Sequence, residues 1–341
     1  MKTLLMFLMT FFCSALRVLS NEKGSVEITE AMVDMFSANV MHLSQQSESR
    51  LRGYCRQESF NAEAKFFDRI GKRKARKKEG RHSQVVYDNT PHSRRQVVME
   101  DFYDSDLVDD EDKLRIIMNP ESEYAQAIAS SLGRQMDEEI IAGALGNAFA
   151  GKKGQTAVAL PDSQKLAAFD AVAAPATGTG LNVQTLRSIR KKFKQNEAIQ
   201  KGEQLIITVA AQQIDDLLGN TEVTSADFNT VRALVDGELD TYMGMKFVET
   251  ELLPFNEAAI TYDVNTGSVG AGGGTIALGE ARRCFVMTAG RGVLCATARE
   301  VNGRVSEIPE KHYSHQVYGS LSIGVTRMEE EQVVEFFCKE V

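Results

Sequence analysis

Thiol and imidazole side chains are scarce in this sequence of 341 residues. It has five cysteines and five histidines, no two cysteines form a CxxC pair, and no histidine stands at zinc-ligand spacing from them. This pattern argues against a structural zinc site and predicts reduced, mostly buried thiols, which are usual in a cytoplasm. A structural disulfide is the alternative. The cysteines are Cys13, Cys55, Cys284, Cys295 and Cys338.

Signatures of catalysis are missing as well. The sequence contains no G-x-S-x-G nucleophile elbow. His312 and His315 are spaced like a ligand pair, but residues three apart in an alternating strand point to opposite faces of the sheet. We therefore predict no catalytic residues, no metal ligands and no cofactor.

Long apolar runs are absent beyond the N-terminus. The leader "MKTLLMFLMTFFCSALRVLSN" has Lys2 followed by about a dozen mainly apolar residues, a length typical of a secretion signal and too short for an ordinary membrane span. Arg17 and Val18 interrupt the small residues expected at a cleavage site. An export signal and a start codon placed too far upstream explain residues 1–21 equally well.

Charge is unevenly distributed along an acidic chain. The formal net charge of -8 argues against nucleic-acid binding by the whole surface. From Arg69 to Arg81, however, the net charge is about +7, and from Glu100 to Glu123 about -8. Blocks of opposite sign can pair across an interface. The basic block lacks interleaved aromatic residues, which argues against nucleic-acid binding, although an exported polyanion-binding protein remains an alternative.

The acidic block fails as a calcium-binding loop. Such a loop needs oxygen ligands at positions 1, 3 and 5, glycine at 6 and glutamate at 12. Counted from Asp104, position 5 is Val108, position 6 is Asp109 and position 12 is Arg115. Magnesium needs only one or two carboxylates plus a phosphate, but no phosphate-binding segment lies nearby. A solvated acidic face and an ionic subunit contact are the main interpretations.

Two glycine-rich segments resemble nucleotide-binding loops but depart from the motifs. "GNAFAGKK", Gly146 to Lys153, matches G-x-x-x-x-G-K-[ST] except that Lys153 replaces the magnesium-binding hydroxyl, and a predicted helix precedes it instead of a strand. "GAGGGT", Gly270 to Thr275, has threonine where the dinucleotide fingerprint needs its third glycine. A phosphate-binding enzyme that uses Gly146–Lys153 is nevertheless kept as an alternative function.

Hydrophobic periodicity predicts the order of the elements in the first half. The segment "EITEAMVDMFSANVMHLSQQ" predicts an amphipathic helix or arm, and short strands in an extended hairpin follow between about residues 50 and 100. "NPESEYAQAIASSLGRQMDEEIIAGALGNAF" predicts a helix of about 25 residues with Pro120 in its first turn. Its apolar stripe comprises Ile128, Leu132, Met136, Ile140 and Ile141.

The second half predicts a mixed α/β domain from about residue 180 to residue 300. Residues 151–180 are expected to form a loop or domain crossing, and "NTGSVGAGGGT" a flexible surface loop. Helices are expected at "LNVQTLRSIRKKFKQNEA", "AAQQIDDLLGN" and "TSADFNTVRALVDGEL", and strands at "QLIITVA" and "MKFVETELL". The alternation after His312 predicts two or three returning strands.

Several long segments carry a family resemblance. "SRLRGYCRQESFNAEAKFFDRIG", "NTPHSRRQVVMEDFYDSDLVDDEDK" and "NPESEYAQAIASSLGRQMDEEIIAGALGNA" resemble the N-terminal half of tailed-bacteriophage major capsid proteins of the Hong Kong ninety-seven type. "GEQLIITVAAQQIDDLLGNTEVTSADFNTVRALVDGELDTYMGMKFVETELLP" resembles their axial domain, and "QVYGSLSIGVTRMEEEQVVEF" their closing strands. The resemblance extends from about residue 27 to the end, and the leader has no counterpart in it.

The resemblance implies the fold class and the domain boundaries. The expected class is α+β, with an N-terminal arm, an extended β-hairpin loop, a peripheral domain with a long spine helix, and a mixed α/β axial domain. After the leader at 1–21, the boundaries are 22–59 for the arm, 60–100 for the loop, 101–180 for the peripheral domain, 181–300 for the axial domain and 301–341 for returning strands of the peripheral domain.

The resemblance also implies function and partners. We expect a major capsid protein, not an enzyme, that self-assembles through hexamers and pentamers into an icosahedral shell. The shell would enclose double-stranded DNA of a phage or prophage without binding it specifically. A scaffolding protein and a portal are the other expected partners, with no membrane partner. The expected location is the virion capsid, assembled in the bacterial host cytoplasm. A cellular nanocompartment shell of the same fold is the near alternative.

The resemblance places residues 60–100 across a neighbouring subunit. We therefore hypothesise that the basic tip of this loop contacts an acidic surface of the adjacent chain. Each exposed ion pair would contribute only about 0–1 kcal/mol, so the contact would act through many copies. The basic residues are Lys72, Arg73, Lys74, Arg76, Lys77, Lys78 and Arg81. The acidic residues are Asp104, Asp106, Asp109, Asp110, Glu111 and Asp112.

Overall fold

The computed structural model describes residues 46–78, 80–82, 84–85, 87–109, 120–170, 178–200, 202–219, 241–270 and 272–340. The leader, nearly all of the predicted arm helix and the predicted helix "TSADFNTVRALVDGEL" lie outside these ranges. No helix within them combines the length and apolar character that crossing a membrane requires.

Three α-helices and sixteen strands form the described fold, together with four short 3₁₀ turns. The helices are α1 (Pro120–Leu145), α2 (Val183–Gln195) and α3 (Ala211–Leu218). The strands of the first half are β1 (Arg56–Ser59), β2 (Ala64–Ile70), β3 (His92–Val98), β4 (Glu100–Val108), β5 (Ala148–Ala150), β6 (Thr156–Val158) and β7 (Lys165–Ala167). Those of the second half are β8 (Leu205–Val209), β9 (Thr241–Tyr242), β10 (Met245–Glu249), β11 (Ile260–Tyr262), β12 (Gly274–Ile276), β13 (Ala281–Thr288), β14 (Val293–Ile308), β15 (Ser314–Arg327) and β16 (Val333–Lys339).

The long helix α1 packs on a four-stranded sheet with the order β1-β14-β15-β4. Its 26 residues confirm the predicted length, and all five residues of the predicted stripe are buried. Two glycines allow the close approach of helix and sheet. A Cβ on Gly319 of β15 would lie 2.4 Å from Cγ2 of Ile128, and a Cβ on Gly143 of α1 would lie 2.5 Å from Cγ1 of Val325. Neither position has room for a side chain.

A six-stranded sheet with the order β7-β16-β13-β8-β10-β9 holds the rest of the main core. Strand β8 is buried along its whole length. It pairs parallel with β10 on one side and antiparallel with β13 on the other. Helix α2 adds Leu186, Ile189 and Phe193 to this core, and the Asn182 side chain caps it by accepting a hydrogen bond from Thr185 N. The mixed α/β pattern predicted for this part of the chain is confirmed.

Two sequence predictions were partly wrong. Residues 151–180 were expected to be a loop, but they contain β6 and β7, and β7 pairs in parallel with β16 at the edge of the six-stranded sheet. The expected surface loop "NTGSVGAGGGT" ends in β12, which pairs with β11. Gly274 is needed there because a Cβ would lie 2.4 Å from the Tyr262 ring. These strands have three residues each, too few to show periodicity.

The two returning strands of the C-terminal segment are present, and they divide between sheets. Strand β15 joins β14 and β4, whereas β16 lies between β13 and β7 in the six-stranded sheet. Strand β14 also runs through the boundary that was placed at residue 300. The 301–341 segment therefore contributes both to the sheet β1-β14-β15-β4 and to the six-stranded sheet.

The four described cysteines are buried and carry free thiols, as predicted. Burial raises the pKa of the Cys55 thiol, to which the neighbouring Cys295 and Asp137 add a smaller contribution. Burial likewise raises the pKa of Cys295 to about 11. Cys13 lies outside the described residues.

Candidate subunit interface

The extended hairpin predicted for residues 60–100 is formed by β2 and β3. The two strands pair antiparallel from Ala64 opposite Val98 to Ile70 opposite His92. Gly71 N then donates to Pro91 O over 2.8 Å, and no described residue between these two belongs to a strand. Strand β3 continues the sheet into β5 and β6 on its other side. The hairpin thus has a paired base and a long exposed tip.

The basic residues of the tip fall into two groups. Lys72 Nζ donates to Glu331 over 2.6 Å, and this hydrogen bond raises the lysine pKa. Arg76 donates to both carboxylate oxygens of Asp88, over 3.0 and 2.6 Å, while Arg73 donates to the Asp88 carbonyl over 3.4 Å. The second group is exposed and makes no ion pair or hydrogen bond with any described residue; it consists of Lys74, Lys77, Lys78 and Arg81.

The acidic residues line β4 and the residue after it. Asp104 and Asp106 share the face of β4 that carries Phe102 and Val108, which is the face toward α1. Asp106 accepts a hydrogen bond from Leu107 N over 2.8 Å.

The acidic row continues past the end of the strand. There Asp109 accepts a hydrogen bond from the Ser314 hydroxyl over 2.6 Å. Asp110, Glu111 and Asp112 lie outside the described residues. Asp104, Asp106 and Asp109 form no ion pair with a described residue.

The two charge blocks do not meet within one chain, as far as the structure describes it. Lys72 reaches the turn before β16, Arg76 stays within the tip, and β4 is paired with β15. Among the described residues, the four basic tip residues and the β4 carboxylates Asp104 and Asp106 therefore have no ion-pair partner. This arrangement can form ion pairs between copies without breaking any ion pair that the structure describes.

Sequence reasoning missed the anchor at the base of the hairpin. Arg95 of β3 is only 2% exposed and forms an ion pair with Glu330, and Arg69 of β2 lies 3.6 Å from the same carboxylate. Burial lowers the pKa of Arg95, and Glu330 opposes this effect. With Lys72 on Glu331, three cations of the hairpin bind the turn after β15. In the sequence, the only signal of this contact is a pair of charge runs, "RR" at 94–95 and "EEE" at 329–331.

The anchor borders an open cleft of about 820 Å³ between the hairpin base and the turn before β16. Its walls carry charges of both signs, including Arg56, Arg291, Asp68 and Glu329. Mixed charge of this kind suits contact with another polypeptide better than one small ligand.

The motifs tested for other chemistry have structural roles. In "GNAFAGKK" the helix α1 ends before Gly146, residues Ala148–Ala150 form β5, and Gly151 turns the chain with φ of 91° toward β6. No helix follows the motif, so the phosphate-binding geometry is absent. His315 lies 3.8 Å from Glu307 across a strand pair. Among the described residues, no group of His, Cys, Asp or Glu is arranged to hold a metal ion.

A family model described as phage capsid protein matches residues 28–340. The chain belongs to this family. It is a structural protein of the icosahedral virion shell and not an enzyme, and the phosphate-binding alternative is not supported. No curated protein matches the chain by sequence.

Solved phage capsid structures share the fold over nearly the whole chain. The capsid of cyanophage P-SCSP1u superposes with a TM-score of 0.67 at 15% identity, covering 94% of this chain and 97% of its own. The capsid of Ralstonia phage GP4 gives 0.66 at 8% identity, with 94% and 99% covered. That of Helicobacter pylori bacteriophage KHP30 gives 0.64 at 12% identity, with 93% and 98% covered. This capsid protein therefore shares their architecture with little of their sequence.

Proposed function

We propose that this capsid protein assembles in the bacterial cytoplasm, through hexamers and pentamers, into a head that holds double-stranded phage DNA without specific contacts. A scaffolding protein and a portal would complete the assembly. The neighbouring subunits are held partly by ion pairs between the hairpin tip of one copy and β4 of the next. The observation that most directly supports this proposal is that Lys74, Lys77, Lys78 and Arg81 form no ion pair or hydrogen bond with any described residue.

Weak contacts of this kind suit a closed shell. An exposed ion pair contributes about 0–1 kcal/mol, so one misplaced subunit can still dissociate. Repeated around a hexamer, the same pairs fix the relative position of neighbours and exclude placements that bring like charges together. The pairs also act at a distance of about 10 Å at moderate salt, which guides subunits before contact.

A charge-swap experiment tests the contact. The tip variant Lys74→Glu/Lys77→Glu/Lys78→Glu and the strand variant Asp104→Lys/Asp106→Lys are expected to lose particle formation separately and to regain it when combined in one chain. Full-length chains are expressed in bacteria, and particles are measured by sedimentation and negative-stain electron microscopy. The control Lys152→Glu/Lys153→Glu reverses two exposed lysines in the β5–β6 turn and should assemble normally.

Either of two results would contradict the proposal. Normal particles from both single-block variants would show that the charges are not used. A parent chain that stays monomeric, even with its scaffolding protein co-expressed, would exclude self-assembly through these surfaces. Nuclease-protected DNA in particles made during infection distinguishes a phage head from a nanocompartment, which would instead contain an enzyme.

A further inference from the structure

Strand β4 lies at the edge of the sheet β1-β14-β15-β4 and has no described strand on its outer side. Strand β4 pairs with β15 from Glu100 opposite Ile323 to Val108 opposite His315, and no other described strand pairs with it. A nine-residue edge that forms no ladder with a second described strand readily accepts another strand. Natural proteins usually cover or interrupt such an edge, so its length in the subunit indicates a partner in the assembly.

The side chains along this edge divide by face. On the face away from α1, Tyr103 is 72% exposed and stacks on Tyr318 with ring centroids 6.2 Å apart. Leu107, four residues further along β4 on the same face, is partly exposed. On the face toward α1 stand Asp104 and Asp106. The edge thus offers an apolar strip on one face and carboxylates on the other.

The hairpin tip contains a segment suited to this edge. In residues 84–89, Val85 is 69% exposed and Tyr87 is 90% exposed, and the described residues of the segment pair with no strand. Valine and tyrosine favour strands, and residues two apart lie on one face of a strand. The ion pair between Arg76 and Asp88 holds the basic residues of the tip beside this segment.

We infer that residues 84–89 of one copy add as a fifth strand to the outer edge of β4 in a second copy. Val85 and Tyr87 then lie on the face of the sheet that carries Tyr103, Ser105 and Leu107. The basic residues of the tip lie beside the carboxylates on the other face. This inference rests on the proposed shell function and specifies its contact. Cross-strand aromatic and β-branched pairs contribute about 0.2–1 kcal/mol each, in addition to the backbone hydrogen bonds.

The charges favour this edge over the open stretch on the opposite side of the same sheet. Strand β1 pairs with β14 only from Leu294 to Thr297, which leaves the edge from Arg299 onward open. That edge carries Arg299 and Arg304, which repel a basic tip, together with two glutamates. From Glu100 to Asp109 the β4 segment has acidic residues and no basic one.

Cysteine cross-linking distinguishes a strand from a loose ionic contact. One copy carries Ser105→Cys, on the face of Tyr103, and a co-expressed copy with a longer tag carries one tip cysteine; Cys13→Ser is present in both. The other four cysteines are buried, which limits background reaction. Facing residues in adjacent strands have Cα atoms about 4.5–5.5 Å apart, within the range of a disulfide.

The expected result is an alternating pattern. Particles oxidised and analysed on non-reducing gels should give the mixed dimer at whichever of Val85→Cys and Tyr87→Cys lies opposite Ser105→Cys and less at the other, which is its diagonal neighbour. Gln84→Cys and Asp88→Cys should give none, because their side chains would face the other way. Particles that give no mixed dimer, or equal amounts at all four positions, overturn strand addition and leave the shell function standing. Failure of the Cys13→Ser parent to form particles overturns the shell function and this inference together.

Discussion

A buried carboxylate of the long helix α1 fixes the segment that leads into the first strand. Asp137 is fully buried, and its two oxygens accept four hydrogen bonds. The donors are the Gln46 amide, the Ser49 hydroxyl at 2.5 Å, Arg50 N at 3.0 Å and Leu51 N at 3.2 Å. One side chain of the helix therefore satisfies two backbone amides that β-pairing does not reach.

We expect Asp137→Ala to lower the free energy of unfolding by about 3 kcal/mol, since the buried Leu51 amide left without an acceptor costs about 1–3 kcal/mol and the partly buried Arg50 amide adds less. The Gln46 and Ser49 side chains contribute less, because they can turn toward water. Asp137→Asn keeps one acceptor oxygen and should cost about 2 kcal/mol.

The assay is urea unfolding of the unassembled full-length chain, followed by far-ultraviolet circular dichroism because the sequence has no tryptophan. Glu138→Ala is the matched control, since Glu138 is the next residue of the helix and is exposed. An Asp137→Ala variant within about 1 kcal/mol of this control would refute the reasoning. Hydrogen exchange at the Leu51 amide should rise in Asp137→Ala and stay unchanged in the control.

Two further predictions concern buried groups of the core. The guanidinium of Arg327 donates to Ala144 O, Gly146 O and Val158 O over 2.9, 2.8 and 3.1 Å. Arg327→Met should therefore destabilise the chain by about 3 kcal/mol in the same urea assay, and Arg327→Lys should have a smaller effect. An unchanged urea midpoint for Arg327→Met would contradict this prediction. Because burial raises the pKa of Cys295 to about 11, its thiolate is scarce at pH 8, and iodoacetamide should label it only after unfolding or as the pH approaches that value; rapid labelling of the native protein at pH 8 would contradict this.

Sequence reasoning succeeded where an element is long enough to repeat its pattern. The apolar stripe of helix α1 runs from Ile128 to Ile141, which is about four turns. Strand β8 is a fully buried run of five residues, all aliphatic except Thr208. It failed for β7 and β12, whose three residues acquire strand geometry only from β16 and β11. Their conformation is decided by tertiary pairing and not by local propensity.

For the candidate interface, the sequence predicted the two charge blocks but not the geometry of their side chains. Charge runs are visible in a sequence, but the face that each carboxylate takes depends on the register of β4 against β15. The anchor of the hairpin joins Arg95 to Glu330 and Lys72 to Glu331, which are 235 and 259 residues apart. No local pattern identifies which of the many charged residues form pairs at such separations.

The two parts of the proposed contact respond differently to salt, and this separates their roles. Exposed charges such as Lys74 and Asp106 attract over about 10 Å at 0.1 M ionic strength and about 3 Å at 1 M. Backbone pairing and the packing of Tyr87 act only at contact and are hardly screened. Salt present during assembly should therefore slow the growth of light scattering, because it weakens the steering of subunits. The same salt added to finished shells should leave them intact, since strand pairing and apolar packing then hold the tip. Finished shells that dissolve in 1 M salt would show that the charges alone hold the tip in place.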